Sequence, residues 1–227
     1  MIQAGNKFIG NGYPCFIAAE IGINHNGDMD LAAKMIDAAV ESGVDAVKFQ
    51  NYYTEDFILD KNLSYTYVSD GKEITETQFD MFKRYELSFE QLAFLKEHCD
   101  KKGVMYFSTP TSARGINDLK KLNVELLKNG SDLLVNIPFI KKLAETKIPV
   151  VISTGMATAA EIDEAVRAFE EAGGKELIIL HCTSSYPTPD EDVNLLKLES
   201  LYKTFKYPVG FSDHTWGIEA AISSVTL

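Results

Sequence analysis

The chain has 227 residues, 45% of them hydrophobic, a formal net charge of −11 and three widely spaced cysteines, Cys15, Cys99 and Cys182. The length and apolar content suit one domain with a substantial core, and so few cysteines argue against a disulfide framework and favour a reducing compartment. The acidic balance argues against nucleic-acid binding, which needs clustered lysine and arginine.

The N-terminal segment, MIQAGNKFIGNGYP, has no long apolar run, so no signal peptide is expected. No stretch of the chain approaches the roughly 20 apolar residues of a membrane helix. We therefore expect a cytosolic protein with no membrane partner. An anionic small molecule is still a suitable ligand, provided that lysines, hydroxyls and backbone N–H groups create its site locally.

Short apolar runs alternate with amphipathic stretches along the whole chain. The predicted strands are 15–20, 46–50, 104–109, 124–128, 149–154, 176–182 and 208–212. The predicted helices are 28–43, 88–103, 112–122, 136–147 and 158–174. Asp28 is a plausible N-cap, and the pairs Ser88–Gln91 and Thr158–Glu161 are capping boxes. Strands that recur about every 20 to 30 residues, each followed by a helix, indicate βαβ units and a parallel sheet.

Polar residues close nearly every predicted strand. They are Glu20, Lys48, Gln50, Ser108, Thr109, Lys128, Ser153, Thr154, His181, Thr183, Ser212, Asp213 and His214. In an open doubly wound sheet such residues gather at one switch point, and no GxGxxG motif follows the first strand. Chemistry at the carboxyl ends of all strands is typical of a barrel. We therefore predict an α/β fold of the TIM (β/α)8 type, as one domain over residues 1–227.

Residues 51–87 interrupt the repeat with a segment rich in aromatic and charged residues. This segment is long for a connection between a strand and a helix. We interpret it as an excursion over the top of the barrel that carries a short helix and helps to cover the active site. A plain surface insertion is the alternative.

Three charged residues on predicted strands are candidates for chemistry. Glu20 either lies in the barrel mouth, as an acid, a base or a partner for substrate hydroxyls, or pairs with a neighbouring lysine as part of the structure. Lys48 and Lys128 are costly to desolvate unless an anion meets them, which suggests a carboxylate or phosphate ligand. A Schiff-base lysine, as in class I aldolases, is the alternative for either one.

Small hydroxyls follow several strands at Ser131, Ser153, Thr154 and Ser184. With the N–H groups of nearby glycines they can cradle a phosphate, although each one alone is more often a cap or turn residue. His214 suits acid–base work or a divalent metal, but one histidine is not a metal site. His25 is equally consistent with a turn and with a function.

Several segments, in the right order, resemble signatures of the sialic acid (N-acetylneuraminate) synthase family. They are AAEIGINHNG, DAVKFQ, YFSTP, LLKNGSDLLVNIP, ISTGMAT, HCTSSYPTP and GFSDHTWGIEAA. The resemblance covers residues 15–227, and its ordered motifs are specific together where each alone would be weak. It implies a reaction in which phosphoenolpyruvate condenses with the open-chain aldehyde of an N-acetylmannosamine-type sugar. The products are a nine-carbon 2-keto acid and phosphate.

The same resemblance implies roles for individual residues. Phosphoenolpyruvate would bind to Lys48, Lys128, Ser131, Ser153 and Ser184. Glu20 would contact the sugar near the reacting carbon, and Gln50 and Tyr186 would line the sugar site. His214 would be a ligand of a divalent metal, Mn²⁺ or Mg²⁺. Thr109 and Ser212 complete the predicted substrate-binding set, and Glu20, Lys48 and His214 form the predicted catalytic set.

Three departures from the family pattern lead to a prediction about the chain as a whole. The family's second metal histidine and its C-terminal antifreeze-like domain, which completes the partner subunit's sugar site in a homodimer, have no counterpart here. Asn129 and Leu133 differ from the usual residues, and an amide inside a strand needs a hydrogen bond. We therefore expect a barrel truncated after its seventh βα unit, and an inactive or nearly inactive chain.

Two other functions are compatible with the residues. One is a Schiff-base aldolase for keto acids, and the other is an inactive fragment or scaffold of a polysaccharide pathway. The acceptor also stays open between N-acetylmannosamine, its 6-phosphate and the deoxy-diacetamido sugars that lead to legionaminic or pseudaminic acids. A role in spore-coat or surface polysaccharide synthesis is equally open.

Overall fold

The structure is a computed structural model that describes residues 1–69 and 71–227. It divides into two compact units, one formed by Met1–Phe16 and Val124–Leu227 and the other by Ile17–Asn123. Within the described residues, none of the helices has both the length and the apolar composition needed to cross a bilayer. The elements are given below in chain order.

The chain begins with a short antiparallel hairpin that belongs to the first unit. Strands β1 (Ile2–Ala4) and β2 (Lys7–Ile9) pair in a register that places Ile2 opposite Ile9. Gly5 in the turn has a φ of 57°, a left-handed conformation that favours glycine. The sequence analysis did not predict this hairpin, because three-residue strands are too short to show alternation.

In the unit formed by Ile17–Asn123, the described residues (17–69 and 71–123) form ten elements. They are β3 (Ala18–Gly22), α1 (Met29–Glu41), β4 (Ala46–Asn51), α2 (Thr54–Phe57), β5 (Ser64–Ser69), β6 (Lys72–Thr77), α3 (Gln78–Tyr85), α4 (Phe89–Lys102), β7 (Met105–Pro110) and α5 (Ala113–Lys121). Strands β3, β4 and β7 are parallel neighbours in that order. Apolar side chains of α1 and α4, among them Ile36, Leu92 and Leu95, are fully buried.

The predicted excursion, described here for residues 51–69 and 71–87, contains an antiparallel hairpin between two short helices. Strands β5 and β6 pair along six residues, and α2 and α3 flank them. The rings of Tyr52, Phe57 and Phe82 meet edge to face, with centroids 5.0 to 5.7 Å apart. The predicted short helix is therefore confirmed, and the sequence analysis did not predict the hairpin. That this segment covers an active site stays a prediction.

The remainder of the first unit begins at Val124. Its elements are β8 (Leu127–Asn129), a 3-10 helix (Ser131–Leu133), α6 (Ile137–Glu145), β9 (Val150–Ser153), α7 (Ala159–Glu171), β10 (Leu177–Cys182), α8 (Asp190–Val193), α9 (Lys197–Phe205), β11 (Val209–Ser212) and α10 (Glu219–Thr226). Strands β8, β9, β10 and β11 are parallel neighbours in that order. Buried side chains of α6 and α7, such as Leu143 and Phe169, cover the sheet.

The α/β class and the repeated strand–helix order are confirmed, with seven parallel strands among the described residues. The predicted caps are present, since Asp28 accepts two backbone N–H groups and both capping boxes close. Strand β8 begins at Leu127 instead of residue 124, because its pairing with β9 begins there. Closure into an eight-stranded barrel and truncation stay predictions.

Candidate active site

A bulge in β3 positions the first group of predicted site residues. The pairing of β3 with β4 shifts register between Glu20 and Gly22, so that Glu20 lies opposite Lys48 and Gly22 opposite Phe49. Bulges of this kind re-aim side chains next to functional sites. Gly22 has a φ of 56°, and a Cβ there would lie 3.1 Å from Glu20 Oε1 and 3.8 Å from Gln50 Nε2. Glycine at this position therefore leaves room for both side chains.

Lys48 is a buried cation with three polar partners. Only 4% of the residue is exposed. Its Nζ lies 2.9 Å from Glu20 Oε2 and donates to Thr109 Oγ1 at 3.0 Å and to the Phe49 carbonyl at 3.3 Å. The Glu20 side chain itself is half exposed. The pairing of Glu20 with a neighbouring lysine is therefore confirmed, and a role of its half-exposed carboxylate in chemistry stays a prediction.

We call Glu20, Lys48, Gln50 and Thr109 the lysine cluster. Gln50 and Thr109 lie next to the carboxyl ends of β4 and β7, where parallel sheets carry their ligands, and Glu20 and Lys48 lie in the middle of β3 and β4. Gln50 and Thr109 are directly paired in the sheet register and are half-buried. The cluster offers one ammonium, one carboxylate, one amide and one hydroxyl, a set that can bind an anion and a hydroxylated partner.

His25 lies in the same unit but serves its own turn. The residue is buried, and its Nδ1 accepts a hydrogen bond from the Gly27 N–H at 3.0 Å. Burial lowers the pKa of its imidazole, so that the ring is neutral at pH 7. The structure therefore favours the turn over a catalytic role for His25.

Three hydroxyl and glycine positions converge after β8, β9 and β10. The Gly155 N–H donates to Ser131 Oγ at 3.0 Å. A Cβ on Gly155 would lie 2.2 Å from Ser184 Oγ and 2.8 Å from Ser131 Oγ. No side chain larger than hydrogen fits there unless a hydroxyl moves. We call Ser131, Gly155 and Ser184 the hydroxyl cradle.

Two buried polar side chains lie on the strands that lead to this cradle. Within the described residues, Ser153 Oγ and Asn129 Oδ1 are buried without a hydrogen-bond partner. The Asn129 amide donates to the Gly130 carbonyl at 2.9 Å, so the unusual residue is half satisfied. A buried polar atom without a hydrogen bond costs about 1–3 kcal/mol of folding free energy. Such atoms are found where a ligand or a water molecule supplies the missing hydrogen bond.

Cys182 connects the hydroxyl cradle to the predicted histidine. It pairs with Ser212 across β10 and β11. Burial alone would raise the pKa of the Cys182 thiol, but hydrogen bonding with His214, Ser131 and Ser212 outweighs burial, and the pKa is lowered. The sequence analysis treated Cys182 only as evidence against disulfides. Its place at the end of β10, next to His181 and two residues before Ser184 of the cradle, was the signal that could have revealed it.

His214 is held in one orientation by its surroundings. Its Nδ1 lies 2.9 Å from the Thr183 carbonyl and 4.0 Å from Cys182 Sγ. A carbonyl only accepts, so Nδ1 carries the proton and Nε2 is the nitrogen left for a ligand or a proton transfer. Hydrogen bonding with Cys182 raises the pKa of the His214 imidazole, while burial and the positive charge of Lys128 oppose this.

Tyr186 and Lys128 also lie near His214. The Tyr186 ring is tilted against the imidazole with centroids 4.1 Å apart. Lys128 is half-buried and lies close enough for its charge to act on His214. The predicted residues of this unit are therefore gathered at the carboxyl ends of β8 to β11. These residues are Lys128, Ser131, Ser153, Ser184, Tyr186, Ser212 and His214.

His214 is the metal ligand that this part of the site offers among the residues that the structure describes. Among the described residues, no group of three or more His, Cys, Asp or Glu side chains could hold a metal ion. His214 Nε2 suits Mn²⁺, and Mg²⁺ and Mn²⁺ often keep water molecules alongside few protein ligands. His214 therefore fits a metal as a contributor of one nitrogen and no more.

Fold and site together define an α/β protein with polar chemistry at the carboxyl ends of its parallel strands. The sequence profile of the NeuB family matches residues 35–227. This match covers most of the chain, and the chain therefore belongs to the NeuB family.

Named relatives agree with this assignment. An uncharacterised protein of Methanocaldococcus jannaschii is 44% identical over 226 residues, which are 100% of this chain and 63% of that protein. The N,N'-diacetyllegionaminic acid synthase of Legionella pneumophila is 38% identical, over 94% of this chain and 61% of the synthase. The chain thus spans about three fifths of the length of these relatives.

A solved structure shows the same fold. The N-acetylneuraminic acid (sialic acid) synthetase of Leptospira borgpetersenii superposes with a TM-score of 0.88 at 36% identity. The superposition covers 98% of this chain and 73% of the synthetase chain. The predicted α/β fold and the resemblance to sialic acid synthases are thereby confirmed.

Proposed function

We propose that the protein condenses phosphoenolpyruvate with an N-acetylmannosamine-type sugar to form a nine-carbon 2-keto sugar acid and phosphate. In this reaction C3 of phosphoenolpyruvate forms a bond to the aldehyde carbon of the sugar. Water adds at C2, and phosphate leaves with cleavage of its C–O bond. Membership in the NeuB family and the synthase names of its relatives support a sugar acid synthase.

The hydroxyl cradle is the observation that carries the proposal. Ser131 Oγ, Ser184 Oγ and the backbone of Gly155 approach one another closely at the carboxyl ends of β8, β9 and β10. Hydroxyls and backbone N–H groups bind phosphate without adding charge, which suits a chain with a net charge of −11. We assign the phosphate of phosphoenolpyruvate to this cradle, with Ser153 and Lys128 as supporting groups.

The lysine cluster has a complementary role in the proposal. Lys48 supplies a fixed positive charge to an anionic reactant, and Thr109 holds its ammonium in place. The Glu20 carboxylate is paired with Lys48 and is half exposed to solvent. It is therefore suited to accept a proton from the acceptor sugar, or to return one to it. Gln50 offers amide hydrogen bonds to sugar hydroxyls.

His214, Tyr186 and Ser212 complete the acceptor side of the proposal. We propose Nε2 of His214 as one ligand of Mn²⁺ or Mg²⁺. A bound divalent ion supplies Lewis acidity to a carbonyl oxygen. The Thr183 carbonyl fixes the imidazole tautomer that presents Nε2, which is the arrangement that ligating histidines need. Loss of Mn²⁺ binding in His214→Ala, followed by calorimetry, tests this assignment.

Phosphate release from phosphoenolpyruvate across a panel of N-acetylated hexoses tests the function. The assay uses this chain and a version extended past Leu227. Gly155→Ala should raise the KM for phosphoenolpyruvate by roughly tenfold or more, because the added methyl displaces the two hydroxyls that bind phosphate.

Gly210→Ala is the matched control for this variant. The added Cβ of residue 210 meets only the flexible end of Leu180, so phosphoenolpyruvate kinetics should not change. An unchanged KM in Gly155→Ala, with intact circular dichroism, contradicts the cradle assignment. If borohydride traps a keto acid on Lys48 or Lys128, the proposed condensation is wrong and the protein is a Schiff-base aldolase.

A further inference from the structure

Three asparagines of the chain are each followed by glycine, at Asn11–Gly12, Asn26–Gly27 and Asn129–Gly130. Because glycine has no side chain, its backbone nitrogen is poorly shielded and can approach the side-chain carbonyl carbon of the preceding asparagine. This approach is the first step of deamidation. The three pairs lie in different surroundings, namely an exposed loop, a hydrogen-bonded turn and the buried end of a strand.

The first pair lies in the exposed loop after β2. The Tyr13 N–H donates to the Gly10 carbonyl at 3.2 Å and closes a turn with Asn11 and Gly12 at its centre. Gly12 has a φ of 91°, and a Cβ added there would meet nothing within 4 Å among the described residues beyond its chain neighbours. The exposed Asn11 side chain donates from Nδ2 to the Tyr202 hydroxyl at 2.9 Å. One surface hydrogen bond therefore restrains this amide.

The second pair is held by a turn that leads into α1. The Asn26 N–H donates to the Ile23 carbonyl at 3.0 Å, and the Asp28 N–H donates to the His25 carbonyl at 2.8 Å. The Gly27 N–H, whose nitrogen would have to attack, donates to the buried His25 Nδ1 at 3.0 Å. Reaction at Asn26 therefore requires a local opening that breaks these hydrogen bonds.

The third pair lies at the buried end of β8. Asn129 is 0% exposed and is paired in the sheet with Ile152 of β9. Its side-chain amide donates to the Gly130 carbonyl at 2.9 Å. Deamidation consumes water, so reaction at Asn129 requires a separation of the two strands that admits solvent.

We propose that Asn11 is a site of spontaneous modification, at which the folded protein deamidates while Asn26 and Asn129 are protected. The Gly12 nitrogen forms a bond to Cγ of Asn11, and its proton passes to the departing amide. The Cγ–Nδ2 bond breaks, ammonia leaves and a cyclic imide is formed. Water then opens the imide at either of its carbonyl groups. The products are aspartate, or isoaspartate in which the main chain runs through the side-chain carbon.

Modification of Asn11 changes a contact between the N-terminal loop and α9, which carries Tyr202. A carboxylate only accepts, so after the reaction the Tyr202 hydroxyl becomes the donor. The product also adds one negative charge to a formal net charge of −11, which makes it separable by anion exchange. Isoaspartate lengthens the main chain inside the turn, so the Tyr13 amide should exchange its hydrogen faster.

Peptide mapping by mass spectrometry tests the proposal. The folded protein, and the same protein unfolded in guanidinium chloride, are incubated side by side in mildly alkaline buffer. In the unfolded chain the three pairs should react at comparable rates. In the folded protein Asn26 and Asn129 should react at least roughly tenfold more slowly than Asn11, because each must first lose one or more hydrogen bonds.

Two variants isolate the cause at position 11. Asn11→Gln should abolish modification there, because the longer side chain disfavours ring closure, and should leave the rates at Asn26 and Asn129 unchanged. Tyr202→Phe removes the hydrogen bond that restrains the Asn11 amide and should accelerate its reaction by about twofold or more. Circular dichroism checks that both variants remain folded.

Equal protection of all three pairs in the folded protein overturns the proposal. A faster reaction at Asn26 than at Asn11 also overturns it, because His25 would then act as a base on the Gly27 N–H instead of restraining it. A folded Tyr202→Phe protein in which Asn11 reacts as slowly as Asn26 contradicts the proposal in the same way.

Discussion

At the scale of single residues, the decisive feature is a lysine that is buried on a strand and paired with a half-exposed carboxylate. A buried ion pair is weak support for stability, because desolvation consumes most of its Coulomb energy. We therefore propose that the Lys48–Glu20 pair serves the proposed function more than the stability of the fold. The half-exposed Glu20 carboxylate and the buried Lys48 ammonium place a negative and a positive charge side by side on β3 and β4.

Lys48→Met tests this explanation by separating stability from activity. The substitution should change the free energy of unfolding by no more than about 1 kcal/mol, because methionine removes a desolvated charge and leaves the half-exposed Glu20 carboxylate in contact with water. It should raise the KM for phosphoenolpyruvate by roughly ten- to a hundredfold, the value of a hydrogen bond to a charged group. Urea denaturation and phosphate-release kinetics measure the two effects.

Lys120→Met removes an exposed lysine from the same unit and is the control. It should affect neither stability nor KM. A Lys48→Met protein that unfolds readily but, when folded, retains its KM would show that Lys48 is structural.

Much of the site was predictable at this scale, because residue type and strand position suffice to place Glu20, Lys48 and Ser131 at strand ends. The sequence could not show which partners these side chains choose. The approach of Gly155 to two hydroxyls, and the place of Cys182 beside His214, depend on the register of neighbouring strands. Register is a tertiary property that one sequence does not reveal.

At the scale of elements, the Glu76 carboxylate links the two strands of the β5–β6 hairpin to α3. Glu76 on β6 accepts from Tyr67 on β5 at 2.7 Å and pairs with Arg84 on α3 at 2.6 Å. The hydrogen bond from Tyr67 lowers the pKa of Glu76, followed by that from Arg84, so this support is present above pH 4.5 and is lost in acid.

Glu76→Gln should loosen this segment without unfolding the protein. We expect amide exchange in β5 and β6 to accelerate by about fivefold, which corresponds to about 1 kcal/mol of local stability. Hydrogen exchange followed by mass spectrometry measures it. Glu73→Gln makes the same change on an exposed residue of the same strand and should have no such effect. Equal acceleration in both variants would refute the role of Glu76.

Elements with strong local signals were predicted well, and weak ones were missed. Capping boxes and buried apolar runs located the long helices and the seven parallel strands. The two hairpins escaped prediction because β1 and β2 are very short, and because β5 and β6 are polar and partly exposed. Their strands are stabilised by side-chain contacts such as the stacked rings of Tyr65 and Tyr67, which hydrophobic periodicity does not show.

At the scale of the whole molecule, each of the two units buries one histidine. His25 is 1% exposed in one unit and His181 is 2% exposed in the other. Burial lowers the pKa of both imidazoles below 6.5, although a hydrogen bond with the Val193 carbonyl partly opposes this for His181. As the pH falls, these two imidazoles therefore bind protons at a higher pH in the unfolded chain than in the folded chain. His214, whose pKa is raised, contributes with the opposite sign.

The sign of the linkage predicts a loss of stability in mild acid. The contribution of a buried neutral histidine is fully present above its unfolded pKa of 6.5 and is lost as the pH falls. The urea midpoint should therefore decrease between about pH 7 and about pH 5. His25→Asn, whose side-chain oxygen can still accept the Gly27 N–H, should show a smaller decrease. An identical decrease in wild type and variant would exclude His25 as a source.

The positions of the hydroxyl cradle and the exposed loop positions after the strands differ in how much substitution they tolerate, which has an evolutionary consequence. The hydroxyls and glycine of the hydroxyl cradle are crowded together and tolerate little change, as the surroundings of Gly155 show. The large side chains at positions 156 and 216 stand in open solvent, where replacement costs the fold little. Mutation can therefore change the exposed loop positions while the crowded positions on which the proposed function rests stay intact.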